Sequence, residues 1–303
     1  MEKQRIAIIG AGLMGHGLAL VFATNGHQVA ITDPFPATLA SARDRIAATL
    51  KSLGKDAAAV ANVTPCATLA EAVHDADIVI EAAPEKLPLK QDIFAELERF
   101  ARPEALLASN TSVIPISQIA ARVSSKHRVL GTHWWNPPYL VPLVEVIQSG
   151  GTAPETISTM MTLLTGLGKV PVHVKKDVPG FVGNRMQHAL WREAIALIDE
   201  GVCDAETVDL VVKNSFGRRL AVLGPIENAD QVGIDLTLSI QEYLLPHLDR
   251  ATEPTKLLRR LLSDGKLGFK SNQGFKTWTE DEKTALRAKV LEHSTLLNKL
   301  LGP

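Results

Sequence analysis

Three observations predict the fold class. The chain opens with a β-type run, a glycine-rich loop and a helical pattern; further short strands alternate with helices; and β-type segments cease after Lys175–Gly180. Together they imply an α/β fold, a Rossmann-type doubly wound sheet followed by a smaller all-helical domain. The division falls at 1–178 and 179–303, and a chain of 303 residues is long enough for two cores.

Ile6-Ala7-Ile8-Ile9 reads as the first strand and Leu18, Leu20, Val21 and Phe22 as the helix after it. Between them lie Gly10-Ala11-Gly12-Leu13-Met14-Gly15. In this context Gly10 makes the tight turn, Gly12 admits a pyrophosphate to the backbone, and Gly15 lets helix and strand approach. The phosphates of a dinucleotide would face the free N–H groups of Leu13, Met14 and the residues that follow. Gln28 to Thr32 is a second strand ending at Asp33, placed to hold a ribose 2′-hydroxyl and to repel a 2′-phosphate, so NAD is favoured over NADP. The structural alternative is a flavodoxin-like unit that uses its glycines only for packing.

Residues 37–74 are Ala-rich and helical in character, with a break near Thr64-Pro65. Ala76 to Glu81 is the next strand, leading to Glu85; Lys90 to Arg99 is an amphipathic helix; Ala105 to Ala108 is a strand ending in Ser109-Asn110-Thr111-Ser112. In an open parallel sheet, ligands bind off the carboxyl ends of the strands, where Glu81, Glu85, Ser109 to Ser112 and His133 all fall. The Ser-Asn-Thr-Ser cluster reads equally as a turn and helix cap.

Residues 130–147, LGTHWWNPPYLVPLVEVI, hold two polar side chains that structure alone does not explain. His133 ends one apolar run, and Glu145 interrupts another that otherwise reads as a buried strand; an ionised carboxylate there needs a partner. Asn136-Pro137-Pro138 turns the chain, so the two strands can lie side by side and the carboxylate can fix the imidazole as a base. An exposed edge-strand glutamate and an unrelated histidine would read the same way. Trp134 and Trp135 are expected to wall the pocket, unless one of them packs elsewhere.

The second half begins with a helix from Phe181 to Glu200, apolar around much of its circumference and expected in a core. Asp204 caps a helix to Lys213, a further helix runs from Ile226 to Leu245, and Thr279 with Glu282 forms a capping box for a last helix through Leu300. Arg218-Arg219 reads as a solvated pair or a carboxylate site.

Lys plus Arg (32) nearly balances Asp plus Glu (33), so no strong field favours nucleic acid or an anionic membrane. Cys66 and Cys203 lack metal-ligand spacing, which suits a reducing cytosol and gives no metal site. Met1 to Ala23 could pass for a signal peptide, but the glycines and His16 within it argue against secretion, and a cytoplasmic location is expected. No segment is long and apolar enough to suggest a membrane span.

Taken in order, GAGLMGHGLA, Asp33, EAAPE, SNTS, HWWNPP, LVEVI and PGFVGNR resemble the 3-hydroxyacyl-CoA dehydrogenase family from residue 6 to about residue 275. The resemblance implies an NAD-dependent oxidation of a 3-hydroxy to a 3-keto group, of the kind used in fatty acid metabolism. His133 would be the general base, Glu145 its partner, Ser112 the ligand of the substrate hydroxyl and Asn184 a contact to the substrate carbonyl region. Cofactor contacts from Glu85, Lys90 and Asn110 would join those of Gly10, Gly12, Leu13, Met14, Gly15 and Asp33. A homodimer built by the helical domain is implied as well.

The chain departs from the acyl-CoA members in one place. They carry a long basic helical hairpin after the second strand, and here Asp33 to Ile78 is short and poor in cations. Branches acting on free β-hydroxy acids, such as gulonate and carnitine dehydrogenases, look similar through HxxNPP, and a pyridine-aldehyde dehydrogenase through KKDVPGFV. The rival readings are a 6-phosphogluconate/3-hydroxyisobutyrate-type enzyme, which uses a lysine base, and a non-catalytic crystallin-like NAD-binding protein.

Overall fold

The computed structural model describes residues 3–302. Two compact units are resolved, one comprising residues up to Arg185 together with those from His293 onward, the other Met186–Glu292. The sequence division at 178/179 therefore differs from this clustering, which leaves 179–185 and the C-terminal residues with the first unit.

The first unit is built on an eight-stranded sheet in the order β3-β2-β1-β4-β5-β6-β7-β8. Its strands are β1 (Arg5–Ile9), β2 (Gln28–Thr32), β3 (Val63–Pro65), β4 (Ile78–Glu81), β5 (Leu106–Ser109), β6 (Val129–Trp134), β7 (Leu143–Ile147) and β8 (Val170–Val174). All pairs from β3 to β6 are parallel; β7 runs antiparallel to β6 and parallel to β8. The strand order reverses at β1, which lies between β2 and β4, and so opens a crevice off their carboxyl ends.

Helices cover both faces. Leu18, Leu20 and Phe22 of α1 (Leu13–Thr24), Ile46 and Leu50 of α3 (Ala42–Ser52), and Met160 and Leu164 of α7 (Pro154–Gly166) pack on one core layer. Val73 of α4 (Leu69–Val73), Phe94 and Leu97 of α5 (Leu87–Phe100), and Ile116 and Ile119 of α6 (Ile116–Ile119) form the other. The stretch expected to be helical through residue 74 contains α2 (Pro36–Ala40), α3, a 3-10 turn and the three-residue strand β3. Pro65 ends that strand at the sheet edge, where its missing N–H costs no ladder bond.

The second unit contains most of α8 (Gly183–Asp199), then α9 (Ala205–Asn214), α10 (Pro225–Val232), α11 (Ile234–Leu244), α12 (Lys256–Ser263) and the start of α13 (Glu280–Leu301). Asp204 caps α9 by accepting from Thr207 N, and Thr279 and Glu282 make the expected reciprocal bonds at α13. The single helix expected over 226–245 is two, broken at Gly233, whose φ of 96° no ordinary residue adopts readily. The expectation that the helix after Phe181 is core does not hold: Met186, Leu190 and Trp191 are exposed, and only Ala196 of α8 is buried.

Gly15 fixes how closely α1 packs on the loop before it. A Cβ there would lie 1.7 Å from Gly10 O. Gly15→Ala is expected to cost about 1–3 kcal/mol and to weaken dinucleotide binding, read from thermal midpoints with and without NADH; an unchanged midpoint would refute the packing role.

Candidate active site

The period-two alternation of β-strands places His133 and Glu145 on one face of the sheet, and Trp134, Val144 and Val146 on the other. The β6–β7 register sets His133 directly opposite Glu145. Their side chains meet: His133 Nδ1 lies 2.7 Å from Glu145 Oε2, and both residues are buried. A carboxylate can only accept, so Nδ1 carries the hydrogen and Nε2 presents its lone pair.

The other carboxylate oxygen is held from the start of α8. Glu145 Oε1 accepts from Val182 N at 2.9 Å and Gly183 N at 3.0 Å. Gly180 and Phe181 immediately before them both have positive φ, 75° and 51°. For a buried phenylalanine that conformation is strained and is sustained only by its surroundings. Burial opposes the charge on Glu145, but the bonds from His133, Gly183 and Val182 outweigh it and hold the carboxyl below its usual range.

Aromatic rings flank the imidazole. Trp135 lies 5.2 Å from His133 between ring centroids and Phe181 5.7 Å. Gly183 leaves room for this arrangement, since a Cβ there would meet Trp135 Cζ2 at 2.5 Å. Of the two tryptophans expected to wall the pocket, only Trp135 is beside His133. Trp134 points through the sheet against Phe22. Phe181 and the paired N–H groups were not legible as site residues, although Pro179-Gly180 marks the turn that delivers them.

The Ser-Asn-Thr-Ser loop lies off the carboxyl end of β5. Asn184 Nδ2 donates to Ser112 O at 2.8 Å, which brings two of the expected substrate ligands together. Asn110 Oδ1 accepts from Trp134 N at 3.0 Å and so ties this loop to the end of β6. Glu85 Oε1 accepts from Thr111 Oγ1 and from Ser112 N and Val113 N, holding the loop's backbone. Despite the cost of burial these bonds, with nearby Lys90, depress the Glu85 carboxyl. Lys90 itself is fully buried: its ammonium donates to Glu81 Oε1 at 2.7 Å and Ala83 O at 3.2 Å and lies 3.5 Å from Glu85 Oε2. It stands behind the two glutamates rather than at the surface of the crevice.

The nucleotide end fits a dinucleotide. Gly10 has φ of 102°, and a Cβ on Gly12 would meet nothing within 4 Å. Gly12 is the N-cap of α1 and offers no side-chain cap, so the first-turn N–H groups point outward uncovered. Leu13 is exposed, and Met14 packs partly against the core. Asp33 at the end of β2 accepts from Ala11 N at 2.7 Å and Phe35 N at 2.9 Å, which fixes its carboxylate beside the loop. Arg45 braces the same loop through Ala11 O at 2.5 Å. Among the described residues, no group of three or more His, Cys, Asp or Glu side chains could hold a metal ion.

A doubly wound sheet with an uncapped glycine loop, an aspartate closing the second strand beside that loop and a buried histidine–carboxylate pair defines an NAD-dependent dehydrogenase. The comparisons make the family specific. Residues 5–178 match the 3-hydroxyacyl-CoA dehydrogenase, NAD binding domain, and residues 180–278 the 3-hydroxyacyl-CoA dehydrogenase, C-terminal domain. The chain belongs to the 3-hydroxyacyl-CoA dehydrogenase family. It is 36% identical over 303 residues to a 5-formyl-3-hydroxy-2-methylpyridine 4-carboxylate 5-dehydrogenase of Mesorhizobium japonicum, covering 98% of both chains. A crystal structure of a dehydrogenase of that same description, called an NAD+ dependent dismutase, superposes with a TM-score of 0.91 at 35% identity over 99% of each chain. The (S)-3-hydroxybutyryl-CoA dehydrogenase of Ralstonia eutropha superposes at 0.77 with 31% identity, over 92% of this chain and 100% of that one.

A carboxyl depressed in the folded state adds stability that is complete above its unfolded value, near 4.5, and is lost as pH falls through the lower folded one. Glu145→Gln should therefore be less stable than wild type at neutral pH by about 1–3 kcal/mol. The gap should narrow in increasingly acid solution, as followed by denaturant midpoints; a gap independent of pH would contradict an ionised Glu145.

Proposed function

We propose that this dehydrogenase oxidises a hydroxyl-bearing carbon of a small substrate, with His133 Nε2 accepting the hydroxyl proton. The observation that carries this reading is the 2.7 Å bond from Nδ1 to a buried carboxylate, which leaves Nε2 as the free base and stabilises the imidazolium that forms. Ser112 and Asn184 orient the substrate oxygen, and Trp135 and Phe181 keep the ring in place. When bound at the glycine loop, with Asp33 on its ribose, NAD+ supplies the hydride acceptor. Lys90 acts on this site by holding Glu85, which in turn shapes the Ser112 loop.

Two substrate classes belong to the family reading, a 3-hydroxyacyl-CoA and a free carboxylated compound. We favour the second. End-to-end likeness to the pyridine-carboxylate dehydrogenase, with a TM-score of 0.91 against 0.77 for the CoA-dependent one, supports it. So does the short connection between β2 and β4, whose helices α2 and α3 hold 5 and 11 residues.

A homodimer is the assembly this surface favours. Ile226, Tyr243, Leu262 and Val202 are among many large apolar side chains exposed on the second unit, and a mostly apolar groove of about 730 Å³ runs past Trp191, Leu258 and Phe275. No described helix is long and apolar enough to cross a membrane; the free thiols of Cys66 and Cys203 suit a reducing cytoplasm.

His133→Ala should lower turnover by about a thousandfold while NADH still binds with wild-type affinity. The substrates to test by NADH absorbance are 3-hydroxybutyryl-CoA, carnitine, gulonate and 5-formyl-3-hydroxy-2-methylpyridine 4-carboxylate; unchanged turnover in the variant removes the assigned base. Asp33→Ala should gain activity with NADP that the wild type lacks. Equal use of NAD and NADP by the wild type would deny Asp33 its selective role.

A further inference from the structure

The family match ends at residue 278, whereas the chain continues into the 22-residue helix α13. The end of that helix returns to the first unit, and its Asn298 Nδ2 donates to Leu140 O at 2.7 Å. Leu140 lies in the loop from Trp135 to Pro142 that joins the His133 strand to the Glu145 strand. Lys169, at the entrance to β8, donates to two more carbonyls of this loop, Pro138 O at 2.5 Å and Val141 O at 3.0 Å.

Two more of the loop's carbonyls are placed by backbone donors. Pro137 O takes Leu140 N and Val141 N, and Pro142 O takes Val170 N. On the far side Gly17 of α1 lets Pro138 approach so closely that a Cβ would stand 2.6 Å from its ring. Burial pushes the Lys169 ammonium down to about 8, and its position 5.6 Å from the Trp134 ring centroid adds a contact beneath the residue that follows His133. A loop held at so many carbonyls has little freedom to slide, and its ends carry the histidine and the glutamate.

We propose that Asn298 and Lys169 are positioning residues, which makes the segment after residue 278 part of the apparatus that sets the His133–Glu145 pair. The proposal rests on the reading of that pair as the proton-accepting dyad. Neither residue touches substrate; both act through the loop, where misplacement by a fraction of an ångström slows the chemistry without weakening dinucleotide binding.

The test uses the full-length protein with Asn298→Asp, which keeps the side chain's size but removes the donor, together with Lys169→Met and Lys169→Arg. Turnover is measured with 3-hydroxybutyryl-CoA and with 5-formyl-3-hydroxy-2-methylpyridine 4-carboxylate, and amide hydrogen exchange is followed across residues 136–142. Asn298→Asp and Lys169→Met should each lower kcat about tenfold with KM for NAD+ unchanged, and exchange should quicken in the loop but not in β1 or β4. Lys169→Arg should restore most of the loss. Wild-type kcat with wild-type exchange in both loss-of-donor variants would overturn the brace, as would faster exchange with an unchanged kcat, which marks a purely structural tie. Full turnover in His133→Ala would instead sink the dyad, whereas an inactive His133→Ala beside a normal Asn298→Asp would sink only the brace.

Discussion

The constraint on which the site depends is the charge on Glu145. It sits in the middle of a strand with neighbours buried on both sides, where an unpaired carboxylate would cost several kcal/mol. The fold answers with three donors, one imidazole and two backbone N–H groups, divided between the two oxygens. The three donors come from two structural decisions. Antiparallel pairing of β6 and β7 brings the imidazole opposite, and two successive left-handed residues turn Val182 N and Gly183 N inward. The same donors that make burial tolerable keep the carboxylate ionised, and an ionised partner is what a proton-accepting histidine requires.

That solution extends to the surrounding loops through residues 177–184. Asp177 accepts from Ile116 N at 2.8 Å and Ser117 N at 2.7 Å, Gly180 N donates to Val113 O, and Asn184 donates to Ser112 O. The segment that satisfies Glu145 thus also positions the loop bearing Ser112. Glu85 grips that loop from the other side and is itself backed by Lys90, whose ammonium is shared with Glu81 at the end of β4. The end of β4, the Ser112 loop and the His133–Glu145 pair are joined by hydrogen bonds, several of them charge-assisted, rather than by packing alone.

Much of this was legible in the sequence because its signals are local. A glycine loop between a strand and a helix, an acidic residue closing the next strand and a lone glutamate in an apolar run each announce a physical requirement within a few residues. The missing pieces are requirements set by distant parts of the chain. Lys90, expected from the resemblance to contact the cofactor, is buried because Glu81 and Glu85 converge on it from other parts of the chain. Trp134 ends β6 and Trp135 begins the loop after it, and which of the two turns toward His133 is decided only once the strand's register is known. Phe181 carries no sign of its left-handed backbone beyond the Pro-Gly before it, and α8 has the apolar pattern of a core helix although its own unit does not cover it.

That last discrepancy has a physical cause. Within residues 186–292 only Ala196 and Lys283 are buried, and α9, α10, α11 and α12 bury no residue at all. Helices of 8 to 11 residues are marginal without an apolar partner for one face. Apolar area of this extent weakens any monomer that leaves it in water, and burial at about 25 cal/mol per Å² makes its coverage a leading source of stability for the unit. A second copy of the chain is the partner we favour, because it presents the same surplus of apolar surface and can satisfy it reciprocally about a two-fold axis. Such pairing would cover apolar side chains that the second unit leaves exposed by itself.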